Sequence, residues 1–292
     1  MNSLQINTSN KNIRTAQKNE ITEYHVYQRL SGSTKNIRNK ETLQRIADEE
    51  MKHYHILQNH SKREEKPNII KVYAFYFISK ILGLTFGIKL MERGEAGAQI
   101  QYQELAHIIP DAVTIAKEEA SHEEQLIGMI DEERLNYVGS VIRGLNDALV
   151  ELTGALAGFT FALQDSSLIA TAGLITGIAA TLSMAGTEYL SMKSETMNRP
   201  PLKSAMYTGT TYFFTVLLLV FPYLLPLNTY LSLGIMIVIA ILIITVFNFY
   251  LSVAKSIPFK ERFLEMAGLS LGITAISFLI GLLVRNVLGV QV

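Results

Sequence analysis

The sequence predicts an all-α protein in two parts, a cytoplasmic four-helix bundle in residues 1–135 and a five-helix transmembrane domain in residues 136–292. Charge is the first observation behind this division, because residues 1–135 contain 18 basic and 19 acidic side chains and the remaining residues only 8 and 7. Histidine and glycine follow the same boundary, since all six histidines lie in the first part and 13 of the 19 glycines lie in the second. The two parts therefore differ in chemistry, and we expect their boundary near Tyr137.

The composition excludes several functional classes. With 26 basic and 26 acidic side chains, the chain lacks the basic excess that nucleic-acid-binding proteins direct at phosphates. Without cysteine there are no disulfides, no thiolate zinc site and no thiol redox chemistry. Residues 1–20 are polar, so no cleaved signal peptide is expected.

Four helices are predicted in the first part, where glycine and proline are sparse and glutamate, lysine, glutamine, leucine and isoleucine dominate. Turn-like stretches separate them into residues 12–30, 39–60, 69–107 and 111–131. The apolar stretch 69–88 is broken only by Lys71 and Lys80, and hydropathy alone would make it a sixth span. We expect it instead to be part of a long helix that lies partly in the domain core and partly at the membrane interface.

Two of these helices carry the same short motif. The second contains Glu50-Met-Lys-His53 and the fourth contains Glu119-Ala-Ser-His122. A spacing of three residues places the carboxylate and the imidazole on one face of a helix. Four-helix di-iron proteins use two such motifs, together with one glutamate from each of the other two helices. The pair of motifs therefore predicts a di-metal site.

The first and third predicted helices supply the remaining glutamates. Glu20 and Glu23 lie on the first, and Glu92 and Glu95 lie on the third. Glu20 and Glu95 are the preferred ligands, since each is followed seven residues later by a tyrosine, and Glu23 and Glu92 are alternatives one turn away. With carboxylate and imidazole as the ligands, the site is expected to hold iron, with manganese as the other choice.

The second part contains five apolar segments long enough to span a membrane, which needs roughly 20 residues. They are residues 139–163, 167–190, 204–225, 228–253 and 264–288. Lysine and arginine follow the second and fourth segments and are absent from the connections after the first and third. The positive-inside rule therefore places the N-terminal domain in the cytoplasm and the C-terminus outside.

Charged residues inside the predicted spans require a role. Arg143, Asp147 and Glu151 recur every four residues and share one face of the first span. Each charge at membrane depth costs about 2.5–3.5 kcal/mol, so the three predict pairing or a polar path. The alternative is that Arg143 and Asp147 are interfacial and neutralise each other.

On the second span, Met184 and Glu188 are four residues apart, and a thioether beside a carboxylate suits a divalent metal such as Fe(II).

The first two spans resemble the vacuolar iron transporter family. The resemblance rests on Gly144-Leu-Asn-Asp147-Ala-Leu, Gly154-Ala-Leu-Ala-Gly158 and Leu182-Ser-Met184-Ala-Gly-Thr-Glu188-Tyr-Leu-Ser191. Members of that family are five-span dimers that move Fe(II) or Mn(II) out of the cytosol in exchange for protons. The resemblance implies that Asp147, Met184 and Glu188 line the ion path.

The first part is similar to the rubrerythrin and ferritin-like superfamily. The similarity rests on Glu20…Tyr27, Glu50-x-x-His53, Glu92/Glu95…Tyr102 and Glu119-x-x-His122. The combination of this domain with the second part looks like the membrane-bound ferritin proteins of prokaryotes, which are iron exporters. It implies a di-iron site inside the bundle.

These observations predict an integral membrane exporter of Fe(II), or of Mn(II), in a prokaryotic cell membrane, with proton antiport and a ferritin-like domain that binds or senses iron. A homodimer is expected, with the small-residue faces of the first two spans, which carry Gly154-x-x-x-Gly158 and Gly173-x-x-x-Gly177, at its interface. The alternative is a membrane-anchored ferroxidase, peroxidase or iron-storage protein whose spans are mainly an anchor. Enzymatic activity in the bundle is therefore left open.

Overall fold

The computed structural model describes the backbone of residues 3–106, 109–129, 137–194 and 200–288. Inside these ranges, the side chains of residues 3–9, 94–101, 103–104, 120, 123–125, 127–129 and 288 lie outside the description. The described residues are helical with short connections and contain no β-strand, which confirms the all-α prediction. The chain divides into two compact units, Met1–Glu132 and Glu133–Val292.

The described part of the N-terminal unit contains five helices. They are α1 (Ser3–Ser33), α2 (Ile37–Ser61), α3 (Ile69–Leu82), α4 (Leu84–Leu105) and α5 (Ala112–Met129). Asparagine side chains cap two of them: Asn36 accepts a hydrogen bond from the backbone N–H of Asn39, and Asn68 accepts one from that of Lys71. α2 ends at Ser61, because the next residue, Lys62, has a left-handed backbone (φ 53°) that terminates the helix.

Gly83 divides the third predicted helix into two. Its φ of 108° is open to glycine and strained for other residues, so the helical path ends at Leu82 and restarts at Leu84. The prediction of one continuous helix over residues 69–107 is therefore wrong. α3 has 14 residues and is about 21 Å long, which is too short to cross a hydrocarbon core of about 30 Å. The structure thus disfavours a sixth span.

Two apolar clusters fill the N-terminal unit. Cluster A consists of Ile13, Ala16, Leu57, Tyr102, Leu105, Ile109, Ala112 and Ile115. Cluster B consists of Val26, Tyr27, Leu30, Leu43, Ile46, Ala47, Val72, Ile88, Met91 and Leu126. Along the chain, α1 and α5 pass from cluster A to cluster B, whereas α2 and α4 pass from cluster B to cluster A. The four long helices therefore run up, down, down and up, and α3 lies in the connection between the two that run down.

The described part of the second unit contains another five α-helices. They are α6 (Val138–Leu163), α7 (Ser166–Ser194), α8 (Pro201–Val220), α9 (Thr229–Ala254) and α10 (Phe259–Leu288), with a 3₁₀ turn at Phe221–Leu224. Four segments are long and apolar enough to cross a membrane: Ser166–Ser194, Pro201–Leu224, Thr229–Ala254 and Phe259–Val287. α6 is 26 residues long, but Arg143, Asp147 and Glu151 lower its hydropathy. The five-span count therefore stays a prediction.

Glycines allow α6 to approach its neighbours within the same chain. A Cβ at Gly144 would lie 2.5 Å from the backbone oxygen of Thr208 on α8, and one at Gly281 on α10 would lie 2.5 Å from the backbone oxygen of Gly158. Gly154 faces Ile273 and Ser277 of α10 in the same way.

On α7, a Cβ at Gly173 would contact Leu156 and Val220, and one at Gly177 would contact Val216. The small-residue faces predicted to meet a second copy therefore pack against helices of the same chain. That part of the dimer prediction is wrong.

Buried hydroxyl groups join α6 to α10. Thr153 Oγ1 lies 3.2 Å from Ser270 Oγ, and Thr274 donates a hydrogen bond to Thr153 Oγ1 at 3.1 Å. Farther along α6, the hydroxyls of Thr160 and Tyr223 are 2.8 Å apart. Such interhelical hydrogen bonds are worth about 0.6 kcal/mol each on average inside a membrane.

Candidate metal centre

Four side chains of the N-terminal unit converge on one point. Glu20 from α1, Glu50 and His53 from α2, and Glu119 from α5 each offer a ligand atom, and these atoms all lie within 4.8 Å of one another. Three of the four residues are buried, and Glu119 is partly exposed. The structure therefore brings together one glutamate predicted on the first helix and members of both Glu-x-x-His motifs.

His53 lies at the middle of this group. Its Nδ1 is 3.1 Å from Glu119 Oε1, 3.4 Å from Glu20 Oε2 and 3.6 Å from Glu50 Oε2. His122 completes the second motif, with its Nδ1 3.3 Å from Glu50 Oε1. The two imidazole rings stack, with centroids 5.9 Å apart. Each histidine therefore directs its Nδ1 towards the carboxylates of the converging group.

Two further carboxylates hold the outer side of the imidazoles. His53 Nε2 is 2.7 Å from Glu118 Oε2, and His122 Nε2 is 2.5 Å from Glu49 Oε2. The pairing is crosswise, because each histidine is held by the glutamate that precedes the other motif. A carboxylate on Nε2 favours a proton on that nitrogen and leaves Nδ1 to act as a ligand.

Sequence reasoning missed Glu49 and Glu118. The signal was available, because both motifs are in fact Glu-Glu-x-x-His, at residues 49–53 and 118–122. Only the spatial pairing of α2 with α5 shows what the additional glutamates do.

Tyrosines contact the glutamates of α1 and α4. The hydroxyl of Tyr102 donates to Glu20 Oε1, and that of Tyr27 donates to Glu92 Oε1 at 2.8 Å. Of the two candidates on α4, Glu92 thus has a contact inside the bundle, whereas the side chain of Glu95 lies outside the described residues. Glu23, the alternative on α1, is buried.

Three buried polar atoms of this group make no hydrogen bond. They are Glu20 Oε2, Glu50 Oε2 and His122 Nδ1. A buried polar atom without a partner is costly, typically about 1–3 kcal/mol and more for a charged group. Two carboxylate oxygens and one imidazole nitrogen are donors that suit a first-row divalent metal. The donor set therefore fits the predicted metal site.

The electrostatics of the group are those of a crowded set of carboxylates around two imidazoles. Burial raises the pKa of Glu20 well above its ordinary value, and the charges of Glu119 and Glu50 raise it further. Burial also acts to raise the pKa of Glu50, but the nearby imidazoles of His122 and His53 outweigh it and lower that pKa to about 2. The two neighbouring imidazoles thus favour the ionised form of Glu50.

The pKa values of both histidines are raised. Burial disfavours an imidazolium, but the adjacent carboxylates of Glu119, Glu20 and Glu50 outweigh it and raise the pKa of His53 far above the ordinary value. For His122, burial is outweighed by Glu50, and the pKa is again raised. The group thus attracts positive charge strongly, as a cation site must.

In the membrane unit, the structure gives the predicted path residues different surroundings. Glu188 is buried and accepts hydrogen bonds from Ser140 Oγ at 2.7 Å and from Arg143, through Nε at 2.9 Å and Nη2 at 2.5 Å. Met184 is partly buried against the apolar core of the unit, and Asp147 is exposed. Asp147 and Glu188 therefore do not share one enclosed ligand shell within a single chain.

Glu151 has a partner that sequence reasoning missed. The hydroxyl of the buried Tyr212 on α8 donates to Glu151 Oε2 at 2.8 Å. Glu151 as a whole is nevertheless exposed, as is Asp147, so both lie on a face of α6 that the other helices of the same chain leave largely open.

Comparison with known proteins gives one match. Residues 138–199 match the model of the VIT family. Searches of curated proteins and of solved structures found no match. The matched residues extend from α6 through α7 and include Asp147, Met184 and Glu188. The four apolar helices support an integral membrane protein, and the stretch from α6 through α7 is similar to the VIT family.

Proposed function

We propose that this protein exports Fe(II) from the cytosol across a prokaryotic cell membrane, in exchange for protons, and that its N-terminal domain is a ferritin-like di-iron bundle that binds or senses the metal. Mn(II) prefers similar ligands and is the alternative substrate. The observation that carries the proposal is the VIT-family match over α6 and α7. The N-terminal domain faces the cytoplasm and the C-terminus lies outside, as the loop charges indicate.

The membrane path uses Asp147, Met184 and Glu188. Asp147 is exposed at membrane depth and offers a hard carboxylate, while Met184 and Glu188 lie one turn apart on α7. Carboxylates that bind either a proton or a metal give a direct route to antiport. Arg143 neutralises Glu188 while no metal is bound there, so a cation that reaches Glu188 has to displace the guanidinium.

Flux measurement tests this path. We expect Asp147→Ala and Met184→Ala each to abolish Fe(II) uptake into proteoliposomes containing the full chain. Met206→Ala is the matched control for loss of a thioether, because Met206 is 62% exposed on α8 and lies outside the path, and its flux should equal that of the wild type. Unchanged flux in both path variants would refute the assignment.

A homodimer covers the charged face of α6. In one chain, Arg143, Asp147 and Glu151 are exposed on the same stripe, and lipid cannot solvate them. A second copy meeting this face around a two-fold axis would bring the two sets of carboxylates together and enclose an ion path.

Cross-linking tests the dimer cleanly because the chain has no cysteine. Val150 lies beside the charged stripe and is only partly buried within its own chain. If the stripe meets a second copy, the two Val150 positions come close together, and Val150→Cys should form an intermolecular disulfide in membranes. Val238→Cys, at a position 64% exposed on α9, is the control and should stay monomeric under the same oxidant. Equal cross-linking at both positions would contradict the proposed interface.

The bundle holds its metals through both motifs. Glu50, His53, Glu119 and His122 are the motif ligands, and Glu20 is the ligand from α1. On α4, the contact of Glu92 with Tyr27 supports Glu92, while Glu95 stays a candidate. The up-down-down-up order of α1, α2, α4 and α5, with one long connection, also supports a ferritin-like bundle.

The second candidate function is a membrane-anchored ferroxidase or iron-storage protein. It is favoured by one observation, namely that the ligand cluster is complete within the N-terminal unit and needs no residue from α6 to α10. Glu50→Ala in the full chain separates the two functions. Retained transport with lost metal binding in the bundle supports the transporter, whereas oxidation of Fe(II) by a wild-type protein that shows no flux supports the anchored enzyme.

A further inference from the structure

α3 exposes an apolar face along its whole length. Ile70, Phe77 and Ile81 are 83%, 56% and 70% exposed, and their spacing of seven and four residues places them on one stripe. Tyr73 lies on the same stripe and is 42% exposed. The helix buries Val72 and Ser79, and Phe75 and Tyr76 pack partly buried against cluster B. The exposed stripe on the other side of α3 belongs to neither apolar cluster.

The exposure is concentrated rather than scattered. Eight large apolar side chains are exposed in the described part of the N-terminal unit, and six of them lie on α3: Ile69, Ile70, Tyr73, Phe77, Ile81 and Leu82. Single exposed apolar residues are normal, but a contiguous patch of this kind on a folded surface marks an interaction site.

Basic groups surround this patch and no acidic residue lies on α3. Lys71 and Lys80 are exposed on the helix itself, and the ammonium of Lys80 also donates to the backbone oxygen of Ser33 at 2.9 Å. From α1, the guanidinium of Arg29 lies 4.7 Å from the centre of the Tyr73 ring. Aromatic rings with basic groups beside an apolar stripe are the composition of a helix that lies in a membrane interface.

Chain length keeps the bilayer near the end of α5, which shares cluster B with α3 through Leu126 and Val72. Only residues 130–137 separate the end of α5 at Met129 from the start of α6 at Val138, and eight residues span at most about 28 Å. A lipid surface is therefore the partner that this chain itself brings close to the patch.

We propose that α3 docks on the bilayer, lying in the plane of the interface with its Ile70–Phe77–Ile81 stripe among the acyl chains and its basic groups at anionic headgroups. An interfacial helix buries its apolar face about 5–10 Å into the boundary between headgroups and acyl chains. Docking holds the N-terminal unit against the membrane through a second contact, in addition to the covalent connection. It also gives a function to an apolar helix that is too short to span.

Tryptophan fluorescence tests the docking on the full chain, because the natural sequence contains no tryptophan. Phe77→Trp and, independently, Ile70→Trp place the probe on the stripe at exposed positions where the larger ring is tolerated. Asn59→Trp, at an exposed polar position on α2, is the matched control. Each variant is reconstituted into phosphatidylcholine–phosphatidylglycerol vesicles whose acyl chains carry bromine either near the headgroup or near the chain end.

The expected result is blue-shifted emission from both stripe variants and stronger quenching by the shallow bromines than by the deep ones, with no quenching of Asn59→Trp. Emission that matches the control would overturn the proposal, since the stripe would then face water. Blue-shifted emission without bromine quenching would also overturn it, because protein rather than lipid would then cover the stripe.

Discussion

Glu49 and Glu118 are the side chains whose roles depend most on spatial pairing. Each holds the Nε2 of the histidine in the other motif and so directs Nδ1 towards the carboxylates. Outer partners of this kind typically contribute about 10–100-fold to metal affinity. They lie outside the group of Glu20, Glu50, His53 and Glu119, so we expect their effect to be graded rather than absolute.

We therefore expect Glu118→Ala to weaken Mn(II) binding to the purified full chain by about 10–100-fold while leaving its helix content unchanged. Titration calorimetry measures the affinity and circular dichroism measures the fold. Glu41→Ala, which removes an exposed carboxylate near the start of α2, should bind Mn(II) like the wild type. Wild-type affinity in Glu118→Ala would show that the contact does not orient His53.

Arg143 is predicted to stabilise the membrane unit through its two hydrogen bonds to Glu188. Arg143→Ala leaves a buried carboxylate with Ser140 as its remaining hydrogen-bond donor among these contacts, and we expect a loss of about 1–3 kcal/mol. The control is Arg262→Ala, because the Arg262–Glu265 pair is exposed on both sides and is worth about 0–1 kcal/mol. Thermal unfolding in detergent compares the two, and equal midpoints would contradict the prediction.

Among the helices, the contact of α6 with α8 depends on Gly144. A methyl group there would lie 2.5 Å from the backbone oxygen of Thr208 and 3.2 Å from its Cα, so the helices would have to separate. We expect Gly144→Ala to destabilise the unit by about 1–3 kcal/mol, as overpacking does.

Gly139 on the same helix supplies the control, because nothing lies within 4 Å of a Cβ placed there. Gly139→Ala should unfold at the same temperature as the wild type or slightly above it, because alanine favours a helix more than glycine does. A similar loss in both variants would mean that the close approach to Thr208 does not set the effect.

The sequence predicted some of these helices better than others, for physical reasons. Spacing alone placed the two residues of each Glu-x-x-His motif on one face of α2 or α5, because i,i+3 positions lie on the same side of any helix. It could not show the break at Gly83, since glycine also occurs inside helices and only the packing of α3 and α4 requires the positive φ. It also assigned Gly154 and Gly158 to a dimer, because small-residue pairs do not reveal which helix approaches them.

For the molecule as a whole, metal binding to the cluster should stabilise the N-terminal unit. Mn(II) at 100 times its dissociation constant stabilises a folded domain by about 2.7 kcal/mol, provided that the unfolded chain does not bind it. Because the cluster lies within residues 20–122, we expect the unfolding transition of the N-terminal unit to move to higher temperature by more than that of the membrane unit. Calorimetry of the full chain in detergent, with and without Mn(II), measures this.

His53→Ala should remove that stabilisation, whereas His55→Ala, at an exposed position two residues along α2, should retain it. If both variants keep the shift, the metal binds somewhere other than the cluster. If the transition of the membrane unit moves as well, metal binding is not confined to the bundle.

The hydroxyl contacts between α6 and α10 have a mechanical consequence. Thr153, Ser270 and Thr274 fix the axial register of the two helices, and the backbone contact between Gly158 and Gly281 leaves no space for sliding. A shift by even one residue would break these bonds in a medium that offers no water as a substitute. We therefore expect the two helices to move together, so that in the proposed transport cycle the other helices move around them.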